Sequence, residues 1–556
     1  MIRNEDIKPV LNLKWYQNQD FYSDGDVEDE IIRLISENKE EDYSKAIREH
    51  MSWPVYYHLT KLRKNIVAWY PFKKEASVLE IGCGMGAITG TLCDKCEKVT
   101  AVELSKRRAS AAQLRCRDKD NLEIIVGNLN DIEFDEKFDY ITLIGVLEYQ
   151  GKYTDSQNPY IDFLKKIKGL LKEDGKLLIA IENKYGLKYW CGAPEDHTGV
   201  PFDGMNQYCL GQKAAQTFSR EELNEIVKES GFSDTYFYYP MPDYKLPTVI
   251  YSEKYLPKNE VDSNIMFYSY PDNTTLIADE SSIYHDVIKN HVFEFFANSF
   301  LVECSLKKDQ GERVIYAVNS NERQKELECI TLISDKHKVY KKTTASHRTT
   351  ICENMESLRT NGVKTLPFER NDDGIAMDFM DCELLSDEIT DAIHNKNLAR
   401  AYELLDLLYA DILKSSEPSS QNILYQLNLA KPGVDPDFGV VLKKGYLDLI
   451  ARNAFLQDNE LLWFDQEWML PDVPAGFILF RNLLELYGSY SWLNQMLPLQ
   501  ELLVHFHIEN QVEYFVRLNS LFATSVLDTD HINSSKIVRD IPGDRYISNV
   551  SKLLHK

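Results

Sequence analysis

The segment VLEIGCGMG has the residue types and spacing of a loop that binds a nucleoside. It carries Glu80, Gly82, Gly84 and Gly86 between a predicted strand and a predicted helix. Glycines at such a turn let the backbone approach a ligand at the carboxyl edge of a sheet. Ala87 stands where the dinucleotide fingerprint has its third glycine, so NAD is the weaker interpretation. A tight turn without a ligand is the alternative.

Glu103 favours the ligand-binding interpretation. It ends the next predicted strand, in the segment AVEL, about 20 residues beyond the glycines. A carboxylate at this position can accept hydrogen bonds from both hydroxyls of a ribose, and its charge disfavours a ribose 2′-phosphate. Loop and acid together therefore predict a nucleoside-containing cofactor.

A second group of polar side chains follows another predicted buried strand. Glu182, Asn183, Glu195, Asp196 and His197 lie among aromatic residues in the segment IENKYGLKYWCGAPEDHTG. Such a loop could bind sugar hydroxyls, with His197 as a general base and Glu182 as a second catalytic candidate. The alternative is a capped, solvated loop.

A third group lies in the C-terminal half of the chain. Asp448, then Asn453, and then Asp465 after a predicted strand, have the spacing found in phosphotransferases. In those enzymes one aspartate receives the proton of the attacking hydroxyl, while the asparagine and the second aspartate hold magnesium. Lys341, in the strand-like run VYK, resembles the lysine on the strand of those enzymes that contacts the nucleotide.

The elements that would position these groups change along the chain. Residues 1–75 are mostly helical in pattern. From 76 to 255 the apolar runs SVLEIG, KVTAVEL, LEIIVGN, FDYITLIGVLEY and GKLLIAIEN alternate with helix-like stretches, which predicts a doubly wound α/β domain with a parallel sheet. Residues 265–556 begin with strand-like runs and continue with mainly helical patterns, which predicts a further domain.

Composition narrows the classes of function. The 556 residues include 63 Lys and Arg against 87 Asp and Glu, a formal net charge of -24, with 44% hydrophobic residues. This length predicts about three folding units. The excess of carboxylates disfavours binding to nucleic acid or to an anionic membrane surface. The sequence shows neither a signal-peptide pattern nor an apolar run long enough for a transmembrane helix, so we expect a cytoplasmic protein.

Between 76 and 250 the chain resembles the class I S-adenosylmethionine-dependent methyltransferases. Four segments match their motifs in order: VLEIGCGMG, AVELS, VGNLND and FDYITLIGVLEY. The resemblance implies a Rossmann-like fold with S-adenosylmethionine as the cofactor. It places Glu80, Gly82, Gly84 and Gly86 at the methionine side of the cofactor, Glu103 at the ribose, and Asn128 with Leu129 at the adenine.

Residues 300–500 resemble the aminoglycoside-phosphotransferase and choline-kinase branch of the protein-kinase fold. The resemblance implies an α+β kinase-like domain with ATP and Mg²⁺ as further cofactors. Tyr446 departs from the family pattern by replacing the usual histidine, and no glycine-rich phosphate loop is found between 265 and 340. The helix partner of Lys341 is ambiguous between Glu353 and Glu356. A kinase-like domain without catalytic activity is the alternative.

A methyltransferase followed by a kinase-like domain is similar to the bacterial kinase-methyltransferases that cap O-antigen chains. The similarity implies a glycan or sugar-containing acceptor in surface-polysaccharide biosynthesis, with glycosyltransferases as partners. The sequence lacks the long C-terminal coiled coil of the capping enzymes, so control of chain length is not implied. Two alternatives stay open: methylation of a small metabolite or protein, and a second domain that only binds glycan or docks a partner.

Overall fold

The chain divides into two compact units in the computed structural model. The first unit comprises Met1–Asn321, Ser334–Lys336 and Thr529–Lys556, and the second comprises Glu322–Ile333 and His337–Asp528. The structure describes residues 9, 11–18, 25–38, 42–50, 52–152, 156–209, 215–258, 275–490, 492–536, 549 and 551–552.

The strands of the first unit form one sheet. They are β1 (Leu11–Asn12), β2 (Ser77–Ile81), β3 (Lys98–Glu103), β4 (Leu122–Val126), β5 (Phe138–Ile144), β6 (Leu171–Glu182), β7 (Asp234–Met241), β8 (Val249–Ser252), β9 (Ser299–Ser305) and β10 (Val314–Asn319). Their order is β1-β4-β3-β2-β5-β6-β9-β7-β8-β10. Neighbours from β1 to β6 are parallel, which confirms the predicted parallel sheet.

Strand β9 belongs to the first unit, although the sequence prediction places it in the second domain. The run SFLVECSL falls in the predicted second domain, yet β9 pairs antiparallel with both β6 and β7 inside the first sheet, and all seven of its residues are buried. The first unit therefore extends well beyond 255. A short apolar run identifies a buried strand but not the sheet that it joins, because that pairing is non-local.

Helices pack on this sheet and precede it. The described part of the predicted helical lead forms four helices, and Ser219 with Glu222 makes a capping box that fixes the start of α9 (Arg220–Glu229). Helix α20 (Thr529–Lys536) contacts the lead through an ion pair between Asp530 and Arg48, so this part of 265–556 belongs to the first unit. The helices are α1 (Val27–Glu37), α2 (Ser44–His50), α3 (Trp53–Leu59), α4 (Asn65–Ala68), α5 (Thr89–Lys95), α6 (Lys106–Arg115), α7 (Pro159–Leu170), α8 (Leu187–Trp190), α9 (Arg220–Glu229), α10 (Glu280–Lys289), α11 (Phe293–Phe296) and α20 (Thr529–Lys536).

The second unit begins with β11 (Cys329–Ser334) and β12 (Lys338–Thr343), then helix α12 (Ala345–Thr360), then β13 (Phe368–Asn371) and β14 (Gly374–Asp378). These strands are antiparallel in the order β11-β12-β14-β13. The predicted strand-rich front is thus present.

The rest of the second unit is mostly helical but contains two β-pairs that the helical prediction does not include. Strand β15 (Val441–Tyr446) pairs with β18 (Met469–Pro474), and β16 (Ala454–Gln457) pairs with β17 (Glu460–Trp463). The helices around them bury a large apolar core that includes Leu404, Leu408 and Trp463. They are α13 (Leu385–His394), α14 (Leu398–Lys414), α15 (Ile423–Gln426), α16 (Ala475–Ser489), α17 (Leu493–Met496), α18 (Leu499–His505) and α19 (Val512–Val526).

Within the part of the chain that the structure describes, no helix is both long and apolar enough to cross a bilayer.

Candidate functional site

The glycine loop after β2 has a backbone conformation that favours glycine. Gly82, Gly84 and Gly86 have φ angles of +78°, +54° and +77°. A Cβ atom on Gly82 would lie 2.6 Å from Cγ2 of Val146, and one on Gly86 would lie 3.0 Å from Cα of Ala112. Around the corresponding position on Gly84, nothing among the described residues lies within 4 Å. The middle of the loop therefore faces open space, where a ligand can approach the backbone.

Glu103 connects this loop to the end of β3. Its Oε2 accepts a hydrogen bond from the N–H of Gly84 at 2.8 Å, and its Oε1 accepts one from the N–H of Ser105 at 2.9 Å. Burial raises the pKa of Glu103, although these two hydrogen bonds oppose the shift. Because each carboxylate oxygen has a second lone pair, both oxygens can still accept hydrogen bonds from ligand hydroxyls.

The loop and Glu103 face a cavity of about 560 Å³, a size typical of small-ligand sites. Gly86 does not line this cavity, because it packs against Ala112 instead. The remaining predicted cofactor residues of the first unit do line it, together with both catalytic candidates: Glu80, Gly82, Gly84, Glu103, Asn128, Leu129, Glu182 and His197.

The carboxylate of Glu80 fits a cationic ligand. Burial raises the pKa of Glu80 to about 7. Its Oε2 is buried and accepts no hydrogen bond from any residue that the structure describes. A positive group in the cavity would stabilise the ionised form of this side chain.

Buried ionisable side chains form the other end of the cavity. Oε1 of Glu182 lies 2.5 Å from Nζ of Lys245 and accepts a hydrogen bond from the hydroxyl of Tyr244 at 3.3 Å. Asp196 lies 2.6 Å from Nζ of Lys188 and 3.3 Å from Nζ of Lys245. Burial opposes ionisation here, but these lysines hold the pKa of Glu182 and of Asp196 below the usual range. Both acids are therefore charged at neutral pH.

His197 lies between two carboxylates. Its Nδ1 is 3.0 Å from Oε1 of Glu195, and its Nε2 is 3.8 Å from Oε1 of Glu148. Burial alone would lower the pKa of His197, but its hydrogen bonds to Glu148 and Glu195 raise it to about 11. The imidazole is therefore protonated at neutral pH and must lose that proton before it can act as a base.

Several residues at this end were not found from the sequence. Glu148 lies just beyond β5, so its position at the carboxyl end of a parallel strand was a usable signal. Tyr57 and Lys245 also line the cavity, but they come from the helical lead and from the loop after β7, where no motif indicates them. Asn183, in contrast, donates hydrogen bonds to the carbonyls of Phe295 and Ala297, both at 2.8 Å, and serves packing.

In the second unit the predicted residues lie close together. Nζ of Lys341 forms ion pairs with Asp465 and with Glu467. Oδ2 of Asp448 accepts hydrogen bonds from the N–H groups of Glu467 at 2.8 Å and of Trp468 at 3.1 Å. Nδ2 of Asn453 donates to the backbone carbonyl of Asp448 at 3.1 Å. The four predicted residues Lys341, Asp448, Asn453 and Asp465 therefore belong to one connected group of contacts.

The partner of Lys341 differs from the prediction. Glu353 and Glu356 are both exposed, and Glu356 pairs with Arg370. The carboxylates that contact Lys341 come instead from the segment after β17, and Glu467 was missed because the motif indicates only Asp465. Burial, followed by the charges of Glu467 and Asp465, raises the pKa of Asp448 to about 7.

Comparison with known proteins agrees with the geometry of the first unit. Residues 79–179 match the sequence model of the family described as a methyltransferase domain. An uncharacterized methyltransferase of Staphylococcus carnosus is 35% identical over 105 residues, which are 19% of this chain and 46% of that protein. The malonyl-(acyl-carrier protein) O-methyltransferase of Priestia megaterium is 30% identical over 161 residues, or 29% of this chain and 54% of that protein.

A solved structure gives a weaker likeness. A methyltransferase from Thermotoga maritima, described as a possible histamine N-methyltransferase, covers 50% of this chain and 100% of its own at 16% identity and a TM-score of 0.27. The chain spans about half the length of the curated relatives named above. The family match over β2 to β6 shows that the first unit contains a class I S-adenosylmethionine-dependent methyltransferase domain.

Proposed function

We propose that this protein transfers a methyl group from S-adenosylmethionine to an oxygen of a glycan or glycosyl precursor, in the cytoplasm, during bacterial surface-polysaccharide biosynthesis. One observation carries the proposal: a single cavity connects the glycine loop to a buried cluster of polar side chains. A cofactor in the loop would therefore direct its methyl group toward groups that can bind hydroxyls.

At the cofactor end of the cavity, each residue has one proposed role. Glu103 accepts hydrogen bonds from the ribose hydroxyls, as its position beside Gly84 allows. Glu80 faces the positively charged methionine end, and Asn128 with Leu129 borders the adenine. S-adenosylmethionine supplies an activated methyl group, so positioning and the exclusion of water provide most of the rate.

The acceptor end binds and deprotonates a hydroxyl. Glu182 is fully buried and accepts a hydrogen bond from the acceptor. His197, in its neutral form, receives the proton. Tyr57 and Tyr244, which line the same cavity, offer aromatic faces and hydroxyls of the kind that bind sugars. The net charge of -24 favours a neutral or weakly charged acceptor.

The test combines the purified protein with the native glycans. Surface polysaccharide from cells with and without the gene is compared by mass spectrometry, and the unmethylated glycan is then offered to the protein with S-adenosylmethionine. We expect an added methyl group only with the active protein, and His197→Ala as the inactive control. Transfer to a small metabolite or a protein, but not to glycan, would favour the alternative in which the second unit is a glycan-binding or docking module, for example for glycosyltransferases.

A second candidate function is ATP-dependent phosphorylation of the same acceptor by the second unit. The group formed by the buried Lys341 and Asp448 and the partly exposed Asp465 favours it, since a lysine, a proton-accepting aspartate and a metal-binding aspartate are the parts that phosphoryl transfer needs. Asp465 has a φ of +56°, a strained conformation for a residue other than glycine and one often found at functional sites. Asn453 with Asp465 would hold Mg²⁺, and Lys341 the phosphates.

Thermal shift tests this second function. We expect ATP with Mg²⁺, but not ATP with EDTA, to raise the melting temperature, and Asp465→Asn to abolish the shift. Glu356→Gln is the matched control, because Glu356 is an exposed acid on α12 whose side chain pairs with Arg370 on the protein surface. No shift at millimolar ATP would favour the non-catalytic module.

A further inference from the structure

Three side chains at the acceptor end of the cavity have the arrangement of metal ligands. One ligand atom each from Glu148, Glu182 and His197 can be chosen so that all three lie within 4.8 Å of one another. Glu148 follows β5 and Glu182 ends β6, so two neighbouring parallel strands present their carboxylates at the same edge of the sheet. His197 comes from the loop beyond β6.

The two carboxylates have unsatisfied oxygens. Oε2 of Glu148 and Oε2 of Glu182 are buried and accept no hydrogen bond from the described residues. The side chains are 1% and 0% exposed, and both line the cavity. An unsatisfied buried acceptor destabilises the folded protein, and more so when it is charged. Two such carboxylates whose ligand atoms can lie within 4.8 Å of each other and of His197 point to a positively charged or hydrogen-bonding ligand.

The orientation of His197 indicates which ligand. Its Nδ1 is held by Oε1 of Glu195 at 3.0 Å, so Nε2 is the nitrogen that faces Glu148. The backbone N–H groups of His197 and Thr198 donate to Oε2 of Glu195 at 2.8 and 2.7 Å, which fixes this carboxylate in turn. A carboxylate on the remote nitrogen is the usual support for a histidine that binds a metal.

We propose that Glu148, Glu182 and Nε2 of His197 bind a divalent transition-metal ion of the Mn²⁺ or Zn²⁺ kind. Imidazole together with carboxylates suits these ions better than Mg²⁺ or Ca²⁺, which prefer oxygen ligands alone. The ion pair between Lys245 and Oε1 of Glu182 is retained, because the metal uses Oε2. Binding displaces the proton from Nε2, so the imidazolium becomes a neutral ligand.

The inference rests on the proposed function for its catalytic meaning. Three protein ligands leave coordination positions for the acceptor. A hydroxyl bound to the metal ion would lose its proton to water more readily than a free hydroxyl, so His197 would no longer be needed as the base. Metal binding itself can be measured without S-adenosylmethionine and without any acceptor.

The experiment is a titration of chelator-treated, full-length protein with MnCl₂, followed by calorimetry and by the loss of the free Mn²⁺ signal in electron paramagnetic resonance. We expect one saturable site per chain. Glu148→Gln should weaken binding by well over about tenfold, and Glu195→Gln by about tenfold, because removing a supporting carboxylate costs roughly 10- to 100-fold. The Glu195 variant also serves if Glu148→Gln fails to fold.

Glu303→Gln is the matched control, because Glu303 is a buried carboxylate of the first unit that does not line the cavity. It should bind Mn²⁺ like the unmodified protein. Absence of saturable binding, or equal binding by the Glu148 and Glu303 variants, would overturn the site. Cofactor binding without Mn²⁺ binding contradicts only the metal site, whereas Mn²⁺ binding without cofactor binding contradicts only the proposed function.

Discussion

Replacing Glu103 by alanine tests the cofactor site most directly. In the free protein its carboxylate accepts hydrogen bonds from the N–H groups of Gly84 and Ser105 at 2.8 and 2.9 Å. It therefore holds the glycine loop against the end of β3 before any ligand binds. Glu103→Ala removes this connection together with the contacts that we propose to the ribose hydroxyls.

The expected loss follows from the number of hydrogen bonds. A hydrogen bond to a charged group contributes about 1.5 to 3 kcal/mol net of desolvation, so two to the ribose are worth about 3 to 6 kcal/mol. At about 1.4 kcal/mol per factor of ten, the dissociation constant for S-adenosylmethionine should rise on the order of 10²- to 10⁴-fold.

The assay must separate the ribose contacts from a loosened loop. Isothermal titration is therefore done with S-adenosylhomocysteine and with an analogue that lacks both ribose hydroxyls, on the unmodified protein and on Glu103→Ala. The analogue should bind weakly to the unmodified protein, but removing the hydroxyls should cost little in the variant, since their partner is already gone. Glu123→Ala is the control, because Glu123 is an exposed glutamate on the neighbouring strand β4.

Two results would refute the reasoning. The first is an unchanged dissociation constant for Glu103→Ala. The second is an equal penalty for the missing hydroxyls in the variant and the unmodified protein, which would show that Glu103 supports the loop but does not contact the ribose.

Three further predictions use other residues. Because the pKa of Glu80 is about 7, its side chain loses its negative charge as the pH falls. The affinity for the cationic cofactor should therefore rise about tenfold from pH 6 to pH 8 in isothermal titration, and the Glu80→Gln variant should show little dependence on pH. Gly82→Ala places a Cβ 2.6 Å from Val146 at a φ of +78°, whereas the Cβ of Gly84→Ala would have open space around it. In urea unfolding, the free energy of unfolding should fall by about 2 to 4 kcal/mol for Gly82→Ala and by about 1 to 2 kcal/mol for Gly84→Ala. Lys341→Met leaves Asp465 and Glu467 without a shared buried cation, so the free energy of unfolding of the second unit should fall by about 3 kcal/mol in thermal unfolding. Lys338→Met, at an exposed ion pair on the same strand, should lower it far less.

The cofactor site was predictable because its signals are local. The glycines, the strand before them and Glu103 lie within one βα unit and the next strand, and each residue type there has a physical reason that sequence spacing reveals. The structure brings Glu80, Gly82, Gly84 and Glu103 to one cavity, as expected.

Sheet membership and the acceptor end were not predictable in the same way. Strand β9 enters the first sheet after α10 and α11, and its apolar pattern fits any buried strand. Lys245 and Tyr57 reach the cavity from distant segments, so no spacing connects them with His197. The sequence identified His197 as a base at its ordinary pKa, but Glu195, two residues before it, and Glu148, which the fold brings close, keep it protonated.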